Sequence, residues 1–227
     1  MLLSQQEIKD IFAKANAIIT DDHFVYAKKE TGWFHGSDYV NKDAIYPYTR
    51  LVSTLCKEIA DNFWHVGPKI VIGPTVGAVI LSQWTAHWLA PYEHQLEVLA
   101  VYADKDVFEM GEKVGPRRVI RRGYDKHVKG KKCLIVEDVI NSGATVAKTR
   151  YAILEAGGEI IGVGALCNRS GGKVTAETLK VPELFSLINL DMKMFPEDEC
   201  PICKERGPKS VRTDLGKGKD FLVRKGL

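Results

Sequence analysis

Lys131-Lys132-Cys133-Leu134-Ile135-Val136-Glu137-Asp138-Val139-Ile140-Asn141-Ser142-Gly143-Ala144-Thr145 runs an apolar segment into two adjacent acids and then into a loop of small and hydroxylated residues. Cys133 to Val136 suit a short strand buried in a parallel sheet, and Val146, Ile153 and Leu154 fit one face of a following helix. The junction is therefore a strand-loop-helix turn. There Asn141, Ser142, Gly143, Ala144 and Thr145 can direct backbone N–H groups and hydroxyls at a phosphate, which the helix dipole also favours. Glu137 and Asp138 cannot serve the same anion, because like charges repel. Their natural partners are neutral hydroxyls or a magnesium ion, so a ligand carrying both a phosphate and a vicinal diol satisfies the whole segment. The bland alternative, solvated acids before an ordinary turn, leaves this ordered combination unexplained.

Outward from this segment, the pattern is that of an α/β protein. Ser4 and Glu7 form a capping-box pair, and Ile8, Ile11, Phe12, Ala15, Ile18 and Ile19 recur at helical spacing. The stretch 24–42 reads as loop or short strands, and a second helix is expected over 47–63. Lys69 to Ile72 give a short strand, Gly73-Pro74-Thr75-Val76-Gly77 a sharp turn, and 78–90 a helix. Further apolar runs at 97–102, 133–136 and 160–166 alternate with helical segments, which argues for βαβ units and a parallel sheet. The region 107–129 is dense in glycine and charge and is expected to be a long irregular lid between core strands. After Gly171 the core pattern fades, and 200–227 reads as a tail packed on the domain.

The 227 residues allow one sizeable domain. A net charge of +3 from 32 basic and 29 acidic residues argues against nucleic-acid binding driven by bulk charge. Positive charge is nonetheless concentrated locally, in Arg117, Arg118, Arg121, Arg122, Lys126, Lys129, Lys131 and Lys132, and beside an anion site such a run is expected to face the anion. No long apolar span suggests a membrane segment, and five scattered cysteines suggest a reduced, cytoplasmic chain. Cys200 and Cys203 form a Cys-x-x-Cys pair. With no second pair at zinc-finger spacing, a turn holding two ordinary thiols is the expectation.

The segment 131–145 closely resembles the phosphoribosyl-pyrophosphate (PRPP) motif of type I phosphoribosyltransferases: four apolar residues, two acids, two variable residues and a small hydroxylated loop. The resemblance extends across most of 24–222 and is nearest to the orotate-specific members. His35 to Lys42 resemble their N-terminal base-site segment, and Gly73 to Gly77 their pyrophosphate loop. Ala103-Asp104-Lys105 and Ile120-Arg121-Arg122-Gly123-Tyr124 are similar to the two ends of a mobile catalytic loop, and Asn168-Arg169-Ser170 to the strand end whose arginine meets the orotate carboxylate. Cys200 to Cys203 resemble the C-terminal cysteine segment of one branch. Two departures stand out: Val76 replaces a lysine common in the pyrophosphate loop, and Gly32-Trp33 stands where Ser-Gly is expected.

This resemblance implies a mostly parallel central sheet flanked by helices, with a small hood and a mobile lid loop. It implies one domain over 1–227, with a core of about 43–171 and a hood from 20–42 and 172–227. It also implies transfer of ribose 5-phosphate from PRPP to orotate, giving orotidine 5'-monophosphate and pyrophosphate, with Mg2+ as cofactor and a homodimer as the assembly, and neither nucleic acid nor membrane as partner. The PRPP site would comprise Glu137, Asp138 and Asn141 to Thr145, and the pyrophosphate site Pro74, Thr75, Val76, Gly77, Lys105, Arg121 and Arg122. Lys105, Asp138 and Arg122 would be catalytic, Asn141 and Arg169 would meet the base, and magnesium carried by PRPP could reach Glu137 and Asp138 through water. Transfer to a purine or uracil, or a PRPP-binding regulator without turnover, are the competing readings. In all of them Gly143 is expected to border the phosphate, so that a bulky valine there would block it.

Overall fold

The computed structural model describes residues 3–26, 28, 31–93, 97–110 and 113–227, and these form two compact units. The larger unit holds 1–9 and 48–190. In chain order its elements are α1 (Thr49–Phe63), β1 (Ile70–Pro74), α2 (Ala78–Leu89), β2 (Leu99–Met110), β3 (Lys113–Val119) and α3 (Asp125–Val128). There follow β4 (Lys132–Ile140), α4 (Ala144–Glu155), β5 (Glu159–Asn168), α5 (Ala176–Leu179) and β6 (Leu184–Asn189). The six strands lie in the order β6-β5-β4-β1-β2-β3, with every pair parallel except the antiparallel β2-β3. β1 and β4 read as continuous apolar runs because both their faces are covered: Ile70, Ile72, Leu134 and Ile135 are fully buried. Each such side chain contributes about 1.5–3 kcal/mol of burial.

The strand order positions the site. From β1 the chain steps to β2 on one side, then returns to lay β4, β5 and β6 on the other, so the order reverses between β1 and β4. At such a switch point the loops leaving the two neighbouring strands diverge and open a crevice at their carboxyl ends. Ile72 pairs with Ile135, so Pro74 comes level with Glu137 two residues further on. The pyrophosphate-loop candidate and the acidic pair are thereby made neighbours.

Two expectations need correction. Of the stretch 107–129 read as an irregular lid, the part to Val119 belongs to an antiparallel hairpin that runs from its base at Asp104↔Val119 to Met110↔Lys113, with residues 111 and 112 outside the described set, and Asp125–Val128 is helical. Alternation was hidden by charge: Asp106 lies opposite Arg117 and the two form an ion pair at 3.0 Å, so polar residues make the cross-strand contacts that apolar ones usually make. The core unit also continues past Gly171 to Leu190, because β6 adds a strand beside β5 and Val174, Leu179, Leu187 and Ile188 are buried.

The smaller unit, Asp10–Pro47 and Asp191–Leu227, has a three-stranded antiparallel sheet of Phe24–Val25, Phe34–Gly36 and Phe195–Pro196. Ile18–Ile19 pair separately with Tyr39–Val40. Short helices at Pro201–Arg206 and Gly218–Arg224 complete it, and Val25, Val211 and Phe221 form a small apolar cluster. At the start of the chain the Ser4–Glu7 capping box forms: Glu7 N–H donates to Ser4 Oγ at 3.2 Å, and Ser4 N–H to Glu7 Oε2 at 2.8 Å.

Candidate active site

The site is built at the carboxyl ends of β1, β4 and β5 and on one face of the β2-β3 hairpin. β4 runs further than its apolar core implied and carries Glu137 and Asp138 within it, both buried. Asp138 N–H donates to Glu137 Oε1 at 3.1 Å, and Val139 N–H to Asp138 Oδ1 at 2.6 Å. Glu137 Oε2 is buried with no hydrogen-bond partner among the described residues. Burial, then the adjacent Asp138 charge, push the Glu137 carboxyl well above its ordinary value, against the pull of Arg118. Such an atom is held at a cost and is ready for a donor that the polypeptide does not supply.

Residues 141–145 leave β4 and open α4, and with Glu137, Val139, Ile140 and Val146 they line a pocket of about 200 Å³. Gly143 caps α4 with φ +73, in the left-handed region. A Cβ there would lie 2.8 Å from Leu179 Cδ2 and 3.2 Å from Val174 Cγ1. The glycine is thus required by its backbone angle and by the packing of Leu179 and Val174, which a valine would disturb. Across the crevice, a Cβ on Gly73 would fall 2.1 Å from Ala78 O, so only glycine lets the 73–77 turn close onto α2. Thr75 N–H donates to Ala103 O at 3.0 Å, joining this turn to β2, and Val76 is exposed.

Which cations face the crevice is decided by strand alternation. Lys105 lies opposite Arg118 across the β2-β3 ladder, so both project to one face. Arg118 is buried; its Nη1 donates to Thr75 Oγ1 at 2.9 Å and to Ala103 O at 3.4 Å. Burial pulls its guanidinium below the ordinary value, while Glu137, Asp104 and Asp138 oppose the loss of its charge. Arg118 belonged to the basic run, but the resemblance picked out Arg121 and Arg122, and nothing in the residues of 117–122 themselves marks Arg118 over its neighbours. Lys148 was missed as well; it sits three residues after Thr145, on the same side of α4, and lines with Lys105, Arg117, Arg118 and Thr145 a cleft of about 410 Å³.

The other candidates are placed differently. Arg121 pairs with Asp106 at 2.5 Å and Arg122 with Asp104 at 3.4 Å, and both arginines are exposed. Arg121 and then Arg117 hold the Asp106 carboxyl below its ordinary range. Arg169 follows β5, and its backbone N–H donates to Ile140 O at 2.9 Å, which sets the base candidate against the start of the 141–145 loop. Asn168 Nδ2 donates to Val174 O at 3.1 Å and its Oδ1 accepts from Ser170 N–H at 3.1 Å, fixing the turn around Arg169. Lys105 is exposed at the hairpin base.

A phosphoribosyl transferase domain model matches residues 42–201, more than half of the chain. The chain belongs to the phosphoribosyltransferase family. Among phosphoribosyltransferases of similar sequence are orotate phosphoribosyltransferases from Caldanaerobacter subterraneus, 30% identical over 91% of this chain and 95% of that one, and from Chlorobium phaeobacteroides, 32% identical over 91% and 94%. In fold it is similar to the Mycobacterium tuberculosis orotate phosphoribosyltransferase (TM-score 0.56, 18% identity, 82% of this chain and 96% of that one). It is equally similar to an adenine phosphoribosyltransferase from Rhodothermus marinus (TM-score 0.58, 16% identity, 82% and 100%). Phosphoribosyltransferases that take different bases thus share this fold. No described helix is long and apolar enough to cross a membrane.

Proposed function

We propose that this phosphoribosyltransferase moves ribose 5-phosphate from PRPP to a ring nitrogen of orotate, giving orotidine 5'-monophosphate and pyrophosphate. The observation that carries the PRPP half is Glu137 Oε2, a buried acceptor without a partner beside an anion cradle at a helix start. The names of the similar sequences support orotate as the base, together with Arg169, whose planar guanidinium can hold a carboxylate through two parallel hydrogen bonds.

In this reading the 141–145 loop anchors the 5-phosphate, and Glu137 and Asp138 accept from the ribose hydroxyls. The bond from the anomeric carbon to pyrophosphate breaks with its electron pair leaving on pyrophosphate, the base nitrogen forms the new bond, and the proton that nitrogen carried passes to the departing pyrophosphate or to water. Positive charge develops on the sugar, as in other glycosyl transfers. Arg118 and Lys105, with the turn of Pro74, Thr75, Val76 and Gly77, stabilise the departing charge. The oxygen donors of Glu137 and Asp138 suit a magnesium ion arriving with PRPP, held directly or through water, and when bound it neutralises pyrophosphate as a Lewis acid. The exposed Arg121 and Arg122, just past the β2-β3 hairpin, act on the pyrophosphate of this subunit or of a second copy in a homodimer.

Product formation with Mg2+, PRPP and a panel of orotate, uracil, adenine and hypoxanthine tests this. Turnover is expected with orotate. Turnover with another base alone would overturn the orotate assignment, and tight PRPP binding with no turnover on any base would identify a regulator.

A further inference from the structure

The smaller unit contains a cluster that takes no part in this chemistry. His23, His35 and Cys200 are buried and Cys203 is partly so, and one potential ligand atom from each lies within 4.8 Å of all the others. Cys200 Sγ is 3.5 Å from His23 Nε2; Cys203 Sγ is 3.6 Å from His23 Nε2 and 3.4 Å from His35 Nδ1; the two ring nitrogens are 3.0 Å apart. Around a tetrahedral zinc with ordinary Zn–N and Zn–S bonds, the edges would be about 3.6 Å for N···S and about 3.4 Å for N···N. The side chains therefore already lie close to the vertices of such a tetrahedron. We propose that His23, His35, Cys200 and Cys203 bind one structural Zn2+ ion.

The hydrogen-bond chemistry around the cluster points the same way. Ser210 Oγ donates its single proton to Gly207 O at 2.6 Å, so at its 2.7 Å contact with His23 Nδ1 it must accept. The His23 proton is therefore on Nδ1, and the lone pair of Nε2 faces the cluster. Glu197 Oε2 lies 3.6 Å from His35 Nε2 and favours the His35 proton there, which turns the lone pair of Nδ1 inward too. Two nitrogen lone pairs then face each other at 3.0 Å, an arrangement that repels unless a cation lies between them. The outer partners, Ser210 on one histidine and Glu197 on the other, are of the kind that orient zinc-bound imidazoles. Glu197 is itself held by Arg224 at 2.7 Å and Lys225 at 3.0 Å. Cys203 N–H donates to Cys200 Sγ at 3.4 Å, which orients the two sulfurs toward the same centre.

Two imidazoles and two thiolates fill all four positions, so the ion is structural and keeps no open site for a substrate. Its task follows from the build of this unit. Two segments of 38 and 37 residues, far apart in sequence, share a small apolar cluster, and a core of that size gains from a metal staple. The ligands His23 and Cys203, 180 residues apart, would tie the N-terminal strands to the C-terminal helix.

Elemental analysis of the chain purified without chelator should find about one zinc per chain. Cobalt replacement should give the intense visible bands of a four-coordinate ion and a thiolate charge-transfer band. Cys203→Ser should lose the metal, whereas Cys203→His, which retains a ligand, should hold it. Because a variant can fail to fold, the parent is also treated with a strong chelator: its melting temperature should fall and recover on adding zinc but not magnesium. Chain that takes up no zinc when incubated with it, a melting temperature indifferent to chelator, or a Cys200–Cys203 disulfide in protein purified under reducing conditions would each overturn the site.

Discussion

Replacing Glu137 by glutamine should make the protein more stable and a worse binder of PRPP. In the parent, Oε2 is buried with no partner and the carboxyl stands next to Asp138, while Oε1 accepts the Asp138 N–H. An unsatisfied buried acceptor costs about 1–3 kcal/mol. Glutamine keeps the oxygen for the Asp138 N–H, removes the like charge and turns the orphan acceptor into a donor facing Asp138. A net gain of about 1 kcal/mol would raise the melting temperature by about 2–4 °C for a chain of this size. The pH dependence has a definite sign. The folded Glu137 carboxyl titrates above the ordinary 4.5, so the native state binds that proton more tightly than the unfolded chain. Its stabilisation is complete below 4.5 and is lost as pH rises through the raised folded value. The stability advantage of Glu137→Gln should therefore be absent at acid pH and widen on moving towards neutrality. Binding moves the opposite way: losing one charge-assisted hydrogen bond to a ribose hydroxyl or to magnesium costs about 1.5–3 kcal/mol, ten- to a hundred-fold in affinity. Calorimetric unfolding across pH, paired with titration of PRPP in Mg2+, reads both effects. A variant that is less stable at neutral pH and binds PRPP like the parent would refute the reasoning, because Glu137 would then be an ordinary structural carboxyl.

Arg118→Lys keeps the charge but loses the fork that reaches Thr75, and turnover with saturating PRPP should fall about ten-fold or more while the fold is retained; unchanged turnover would remove Arg118 from the pyrophosphate site. Gly143→Ala should lower the melting temperature, because a left-handed backbone costs an alanine about 1–2 kcal/mol and its Cβ meets Leu179; a variant as stable as the parent would show that α5 yields freely. Arg169→Lys should raise the KM for orotate about ten-fold or more and leave PRPP affinity near the parent value, and steady-state kinetics with both substrates varied would expose an effect on PRPP instead.

Much of the site was legible because its chemistry is contiguous. Residues 133–145 carry strand, acids and small-residue loop within thirteen positions, and their local conformation follows from apolar run, glycine and helix start without help from the rest of the chain. The same holds for the Ser4–Glu7 cap, which needs only residues three apart. The alternation of short apolar runs with helical segments was likewise enough to indicate a parallel sheet. The hairpin was not legible, since charged residues occupy its ladder and an antiparallel pair leaves no mark in either strand read alone.

By itself the sequence determined the strands β1, β4 and β5 with the helices α1, α2 and α4, and the strand-loop-helix turn at 137–145, because these depend on periodicity and on neighbours along the chain. Tertiary structure alone decided which of several adjacent arginines enters the crevice: β2-β3 register turns Arg118 toward Thr75 and the acids and leaves Arg121 and Arg122 on aspartates. It also decided that Pro74 comes level with Glu137, and that the Cys-x-x-Cys pair meets His23 and His35. Such encounters are set by strand order and register between segments up to 180 residues apart, and no local propensity encodes a partner at that distance.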